Sequence, residues 1–139
     1  MGRRARPEDV DEICGSLPET WFGTTWGGVP TWLVPSKVSE RGKGKGFLLH
    51  RRPGRTAIDP GTGEMYDDLL VIRTADEGDK IALVEGDGPF FTIPHFDGYN
   101  AVLVQASRLG EIERAELVEV ITDAWRACMP PGLRKRYEG

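Results

Sequence analysis

The sequence has few of the residues on which metal sites, disulfides and most nucleophilic enzymes depend. It contains two cysteines and two histidines among 139 residues. No Cys/His spacing of the kind that binds zinc occurs, and two cysteines are too few for a disulfide framework. Cys14 and Cys128 fall on the apolar faces of predicted helices, which favours buried, reduced thiols. The sequence therefore predicts no metal site and no cofactor.

Long apolar runs are also absent. No stretch of about 18 apolar residues occurs, so nothing in the sequence is expected to span a membrane. The first ten residues, MGRRARPEDV, contain arginines with no apolar core behind them, which argues against a secretory signal. The expected location is the cytoplasm.

A large excess of charge of one sign is missing as well. With 18 Lys+Arg against 22 Asp+Glu, the net charge is -4, which argues against wholesale attraction to nucleic acid. The basic residues are nevertheless concentrated between positions 37 and 55, where the one acid is Glu40. Such a patch creates a local field whatever the total charge. Its members are Lys37, Arg41, Lys43, Lys45, Arg51, Arg52 and Arg55.

Length and composition fit a single globular domain over residues 1–139. The chain is 39% hydrophobic and 29% charged, as in ordinary globular proteins. A domain of this size buries roughly two thirds of its unfolded surface and needs no metal or disulfide to be stable. We expect residues 1–6 and 133–139 to be flexible tails and the protein to be a monomer.

Helices are predicted at both ends of the chain. Pro7 suits the first position of a helix that Gly15 ends. Apolar residues recur every three or four positions from Ile112 to about Cys128, which predicts a long helix with one buried stripe. Between these helices the sequence predicts an aromatic loop over 17–28, strands over 29–34, 46–52, 55–58 and 68–74, a polar loop over 35–46, and a short helix over 76–87 capped by Asp76.

The stretch from Phe90 to Ser107 predicts two further strands joined by a loop. Residues 90–93 and 101–104 are apolar, and Pro, Asp, Gly and Asn lie between them. Because residues 101–104 have no polar interruption, they are expected to form a central strand that is buried on both faces. Strands outnumber crossover helices, so the predicted class is α+β, with a twisted antiparallel sheet and the N- and C-terminal helices packed on one face.

Four short motifs, taken in order, resemble the MmcQ/YjbR family of small bacterial proteins. They are LPET at 17–20, WGGVPTW at 26–32, FTIPHFDGY at 91–99 and DAWR at 123–126. The resemblance covers about residues 8–137, and the basic loop at 35–46 is longer than the family suggests. It implies a fold similar to that of CyaY, frataxin and type III secretion chaperones. It also implies DNA binding, since the family carries that label.

The frataxin-like fold implied by this resemblance also raises the question of iron. Its acidic ridge would correspond to carboxylates on the first helix, at Glu8, Asp9, Asp11 and Glu12. The alternative is a solvated helix start, where acids are favourable beside the positive end of the helix dipole. We favour this alternative and predict no metal site.

Two groups of residues are candidates for ligand contacts. In the basic segment, phosphates could be contacted by Lys43, Lys45, Arg51, Arg52 and Arg55. Nearby aromatic residues, namely Trp21, Phe22, Trp26 and Trp32, could then stack on bases, provided that they are exposed. The alternative is that the loop is solvated and that the arginine stems cover hydrophobic edges.

The second group is a possible ligand pocket formed by Trp26, His95, Asp97 and Tyr99. A histidine oriented by a carboxylate could act as a general base. No serine or cysteine nucleophile stands in a recognisable context, however, and the GKGKG run at 42–46 lacks the spacing of a phosphate-binding loop. The alternative is that these residues only shape a tight connection. The sequence therefore predicts no catalytic residue.

Together these observations predict a non-enzymatic module that binds DNA through the basic segment. The alternative is a protein-interaction or chaperone-like adaptor that uses the sheet face. A small-ligand or enzyme site around His95, Asp97 and Tyr99 is the third possibility.

Overall fold

The structure of the protein, a computed structural model, describes residues 3–25, 29–35, 44–51, 69–92 and 98–130, together with residues 132 and 135. In chain order these contain α1 (Pro7–Ser16), β1 (Trp21–Thr25), β2 (Val29–Pro35), β3 (Gly44–Arg51), β4 (Leu69–Arg73), α2 (Glu77–Glu85), β5 (Ala101–Gln105), a 3-10 helix (Ala106–Glu111) and α3 (Arg114–Cys128).

The strands form one antiparallel sheet in the order β1-β2-β3-β4-β5. Each strand pairs with the strand next to it in sequence, so the sheet is a simple meander. Helix α3 packs against β3 and β4, and α1 packs against α3, which places both terminal helices on one face. The predicted α+β class, with helices at both ends of an antiparallel sheet, is confirmed.

Both faces of the sheet are apolar, and β4 shows this most clearly. Leu70 and Ile72 face α1 and α3 in the main core, whereas Leu69 and Val71 belong to a second cluster on the opposite face. All four are at most 2% exposed. Because side chains alternate between faces along a strand, a strand covered on both sides contains an uninterrupted apolar run.

A β-bulge lies in the pairing of β2 with β3. Trp32 is opposite Leu48 and Leu33 is opposite Gly46, which leaves Phe47 as the extra residue. Phe47 and Leu48 are adjacent in sequence, yet both are fully buried in the core beneath the helices. Gly46 permits β3 to lie close to β2 at the bulge, since a Cβ there would lie 2.7 Å from the Thr31 methyl carbon.

The N-terminal segment is held against the start of α3. The Ala5 amide donates to the Ile112 carbonyl at 2.9 Å, and the Arg114 amide donates to the Arg3 carbonyl at 2.8 Å. Residues 3–5 are therefore ordered by pairing, although the sequence predicts a frayed arm over 1–6. The difference arises because the partner residues, 112–114, are distant in sequence, so no local pattern near residues 3–5 indicates the pairing.

Asp9 locks this segment to α1. Its carboxylate, 1% exposed, accepts hydrogen bonds from the Arg3 guanidinium at 2.5 and 2.8 Å and from the Arg6 amide at 2.8 Å. Arg114 Nε lies 3.5 Å away. The hydrogen bonds from Arg3 hold the pKa of Asp9 down at about 2, against the opposing effect of burial.

Several local predictions are confirmed. Asp76 caps α2, because its side chain accepts from the Asp79 amide at 2.8 Å, and Gly86 follows the last helical residue. Cys14 and Cys128 are free and buried, and burial raises the pKa of both thiols. The predicted strand over 55–58 lies outside the described residues.

Three local predictions are wrong. Gly15 does not end the first helix, which continues to Ser16. The predicted loop over 17–28 contains β1, whose five residues pair with β2. Residues 101–104 are buried, as predicted, but β5 is the last strand of the described sheet rather than a central one. Its outer side is covered at one point by Phe91, whose amide and carbonyl both pair with Leu103 at 2.9 and 2.8 Å.

Candidate functional site

The structure separates the described residues of the predicted phosphate-binding group. Lys45 is the second residue of β3 and is exposed, whereas Arg51 is the last residue of that strand. A strand rises about 3.3 Å per residue, so the two Cα atoms lie roughly 20 Å apart. One phosphate cannot contact both. Lys43, Arg52 and Arg55 lie outside the described residues.

The possible ligand pocket is described at Tyr99, whereas Trp26, His95 and Asp97 lie outside the described residues. The Tyr99 ring is covered by the guanidinium of Arg73, whose carbon lies 4.5 Å from the ring centroid and whose nitrogen donates to the phenol oxygen. Lys80 Nζ donates to the Tyr99 carbonyl at 2.7 Å. Two cations thus fix the position of this aromatic residue.

An aromatic patch, formed by Phe22, Trp32 and His50 together with Asp11, lies on the helix-bearing face at the β1–β3 end of the sheet. Phe22 is paired with Trp32 across the strands, and the two ring centroids are 5.2 Å apart at an interplanar angle of 62°. The His50 ring lies 6.2 Å from that of Phe22 at 67°. These are edge-to-face contacts, which the ring quadrupoles favour.

Asp11 of α1 fixes the polar atoms of this patch. Its Oδ1 accepts from Trp32 Nε1 at 2.8 Å and lies 2.9 Å from His50 Nε2. The Trp32 ring also packs on the main core, so its position is fixed both by this packing and by the hydrogen bond to Asp11. Phe22 is left on top, 53% exposed. A single carboxylate therefore orients two rings and leaves a third open to solvent.

The sequence predicts Phe22 as a possible stacking residue, but it indicates neither His50 nor the contact with Asp11. A signal for the hairpin was present, since two β-prone runs are separated by Trp-Gly-Gly at 26–28. With that hairpin, the pairing of Phe22 and Trp32 follows from the register. The position of His50 does not follow, because it depends on the bulge at Phe47.

Three of the four carboxylates of the acidic ridge suggested by the frataxin-like fold are engaged in contacts within the protein. Asp9 is bound by Arg3, Asp11 by the aromatic patch, and Glu12 by Arg114 at 2.8 Å. Among the described residues, no group of three or more His, Cys, Asp or Glu side chains is arranged to hold a metal ion.

Cavities lie on both sides of α2. The first, of 340 Å³, is lined on the α2 side by Glu77, Lys80 and Val84, and opposite by Thr92, Tyr99 and Asn100. The second, of 280 Å³, lies between α2 and α3 and is rimmed by four carboxylates around an apolar floor. The rim is formed by Asp79, Glu116, Glu119 and Asp123.

These features define an α+β domain built on a meandering antiparallel sheet, with exposed aromatic and cavity-lining side chains at its two ends. The chain is 46% identical over 136 residues to the uncharacterized protein Rv2570 of Mycobacterium tuberculosis (strain H37Rv). The matched region covers 94% of this chain and 93% of the relative. The same identity and coverage are found with the uncharacterized proteins MT2646 of Mycobacterium tuberculosis (strain CDC 1551) and Mb2600 of Mycobacterium bovis. The chain belongs to the family of these mycobacterial proteins.

No family model and no solved structure matches the chain. The resemblance to the MmcQ/YjbR family stays a prediction, because the relatives are uncharacterized. Within the part of the chain that the structure describes, none of the helices is long and apolar enough to cross a membrane.

Proposed function

We propose that the protein is a non-enzymatic binding module of the cytoplasm whose ligand is DNA, bound as a single strand on the aromatic patch and along β3. The observation that carries this proposal is the 53% exposure of Phe22 on a ring cluster that is otherwise fixed in place. An exposed, immobilised aromatic face is the surface on which an unpaired base stacks, and stacking tolerates any base.

A positive charge lies within reach of this surface. Lys45 is exposed and is paired with Val34, two residues from Trp32, so it projects from the same face of the sheet as the aromatic patch. From the spacing of strands and residues, the Cα atoms of Phe22 and Lys45 are roughly 12 Å apart. Phosphates of one stacked strand repeat about every 3.4 Å, so three or four nucleotides would span both residues.

In the proposal, the other basic residues of the segment contact further phosphates of the ligand. Arg51 ends β3 opposite Leu69, and Lys43, Arg52 and Arg55 adjoin the strand in sequence. A single strand suits this surface better than a duplex, since its bases are free to stack.

The adaptor alternative has less support. An adaptor that uses the sheet face needs an accessible apolar surface on the side away from the helices. The described residues of that face are closed off, with Leu49, Val71 and Leu103 at most 3% exposed. The remaining candidate ligand contacts, at Tyr99, belong to a different end of the sheet.

The test is a fluorescence-anisotropy titration with a labelled oligothymidine and with a labelled duplex, at about 50 and 200 mM salt. Phe22→Ala should weaken binding of the single strand by about 1–3 kcal/mol, the usual contribution of one stacked base. Lys45→Ser should weaken binding uniformly and reduce the log–log salt slope by about 1.

Ile81→Ala is the matched control, because Ile81 is the other large exposed hydrophobic residue of the described chain, 44% exposed on α2. It should bind DNA as the wild type does. The proposal would be wrong if the wild type failed to bind at low salt, or if Phe22→Ala and Ile81→Ala behaved alike. A preference for the duplex would remove the role of stacking.

A further inference from the structure

One face of α2 forms a wall of the 340 Å³ cavity. It presents Glu77, Lys80, Ile81, Val84 and Glu85, which recur at intervals of three and four residues. The face therefore carries one cation between two anions, with apolar carbons beside them. The volume lies at the lower end of the range usual for small-molecule sites.

Lys80 is the unusual member of this face. It is the buried residue of α2, at 8% exposure, while its neighbours Ile81 and Ala82 are exposed. Lysine is rarely buried, because removing an ammonium group from water is costly. The helix thus directs a charge, rather than an apolar side chain, towards the interior and into contact with the cavity.

The opposite wall is held in position by hydrogen bonds. The Tyr99 carbonyl accepts from Lys80 Nζ at 2.7 Å and from the Ala101 amide at 2.9 Å, and the Asn100 carbonyl accepts from the Thr74 amide at 2.9 Å. Gly98 precedes them with a φ of 77°, a left-handed conformation that suits glycine. The wall is therefore built before any ligand arrives, which lowers the cost of binding.

From this arrangement we infer that the cavity binds a small zwitterion, namely a free α-amino acid with an apolar side chain. Its carboxylate is placed at Lys80 and its ammonium at Glu77. These two residues are three apart on the helix, and such pairs have Cβ atoms about 5–6 Å apart, which suits the close spacing of the two charges in an amino acid. Ile81 and Val84 receive the side chain.

Other ligand classes fit the lining less well. A phosphate would meet the carboxylates of Glu77 and Glu85 as well as Lys80, and a simple cation would meet the ammonium of Lys80. A zwitterion meets charges of both signs on one helical face. This inference is independent of DNA binding, since the aromatic patch contributes none of the residues that line the cavity.

The test is isothermal titration of the full chain with leucine, with leucine methyl ester and with N-acetyl-leucine. Leucine should bind with a dissociation constant of about 1 mM or below. The ester lacks the carboxylate and N-acetyl-leucine lacks the ammonium, so each should bind at least tenfold more weakly. Glu77→Gln should weaken the binding of leucine about tenfold. The ester and N-acetyl-leucine should bind this variant no more tightly than they bind the wild type.

Glu119→Gln is the matched control, because it removes the same charge from an exposed glutamate that lines the second cavity instead. It should bind leucine as the wild type does. The inference is overturned if the folded wild type binds no apolar amino acid at about 10 mM. It is also overturned if both derivatives bind as well as leucine, or if Glu119→Gln weakens binding as much as Glu77→Gln. Lys80→Met, checked for folding by circular dichroism, should abolish the preference for leucine over its ester.

Discussion

The two ends of the sheet hold aromatic side chains by charges of opposite sign. At the β1–β3 end, the carboxylate of Asp11 binds Trp32 and His50 from the surface. At the β4–β5 end, the guanidinium of Arg73 lies over the Tyr99 ring and Lys80 Nζ donates to the Tyr99 carbonyl. The anion leaves the Phe22 ring open to solvent, whereas Arg73 covers the Tyr99 ring and a charged cavity lies beside it. The contrast shows how one sheet can offer two different kinds of binding surface.

The two ends also differ in how strongly their charges act. Asp11 has a side chain that is 58% exposed, so solvent screens its interactions and each contributes little to stability. Lys80 is 8% exposed, and a charge so placed is sensitive to the loss of any partner. We therefore expect loss of the Lys80 side chain to affect folding, and substitutions in the aromatic patch to leave folding largely unchanged.

Lys80→Ala should produce the largest effect and tests this contrast directly. It removes a buried stem and one of the two hydrogen bonds to the Tyr99 carbonyl, so we expect unfolding to become easier by about 2 kcal/mol in urea titrations. Lys80→Met keeps the stem and should cost less than about 1 kcal/mol. Lys45→Ala, the same change at the other end, should fall within about 0.5 kcal/mol of the wild type. Equal losses for Lys80→Ala and Lys45→Ala would remove the distinction.

The pH dependence of stability tests whether burial of a charged group, rather than the sign of its charge, decides how much its loss changes the free energy of unfolding. Asp9 is a buried anion two residues before Asp11 on the same helix. Because its pKa is lowered from 3.8 to about 2 in the folded protein, its contribution is present above pH 3.8 and is lost as the pH falls through 2. Arg3 is 44% exposed, so solvent screening keeps this contribution small.

The measurement is the urea midpoint between pH 6 and 2 for the wild type and for Asp9→Asn. The variant should be less stable near neutral pH and should lose less stability on acidification. An identical acid dependence in the two proteins would show that the ion pairs of Asp9 do not stabilise the fold.

Phe22→Ala should produce the smallest change in stability and so marks the other extreme of the comparison. Its ring is more than half exposed and rests on residues that other contacts hold, so the unfolding free energy should change by about 0.5 kcal/mol or less. Thermal denaturation checks this in the same preparation used for DNA titration. A loss as large as that of Lys80→Ala would mean that Phe22 serves the fold and not a ligand.

The fold was predictable where local patterns report it. The periodic apolar stripe of α3, the cap at Asp76 and the uninterrupted apolar run of β4 each depend on neighbours within a few residues. The end position of β5 was not predictable in this way, because burial on both faces is the same for a central strand as for a terminal strand that other segments cover. Strand order is a property of the whole chain.

The candidate sites were less predictable for the same reason. Lys80 stands among acids in the sequence and is typical of a solvated helix, and only the packing of α2 against residues 98–100 buries it. His50 contacts Phe22 because of the bulge at Phe47, and no residue spacing in the sequence predicts that bulge. Tyr99 was predicted to contact a ligand, and the structure places it beside a cavity, but its cationic partners come from elements distant in sequence.

The pairing of residues 3–5 with residues 112–114 has a consequence for the order of folding. Every strand contact in the meander joins neighbours along the chain, so the sheet can form hairpin by hairpin while the polypeptide is still being synthesised. The first residues made must instead wait until residue 114 has left the ribosome before they find their partners. Closure of this long loop is then the late step, and until it occurs the Ala5 amide and the Arg3 carbonyl lack their backbone partners.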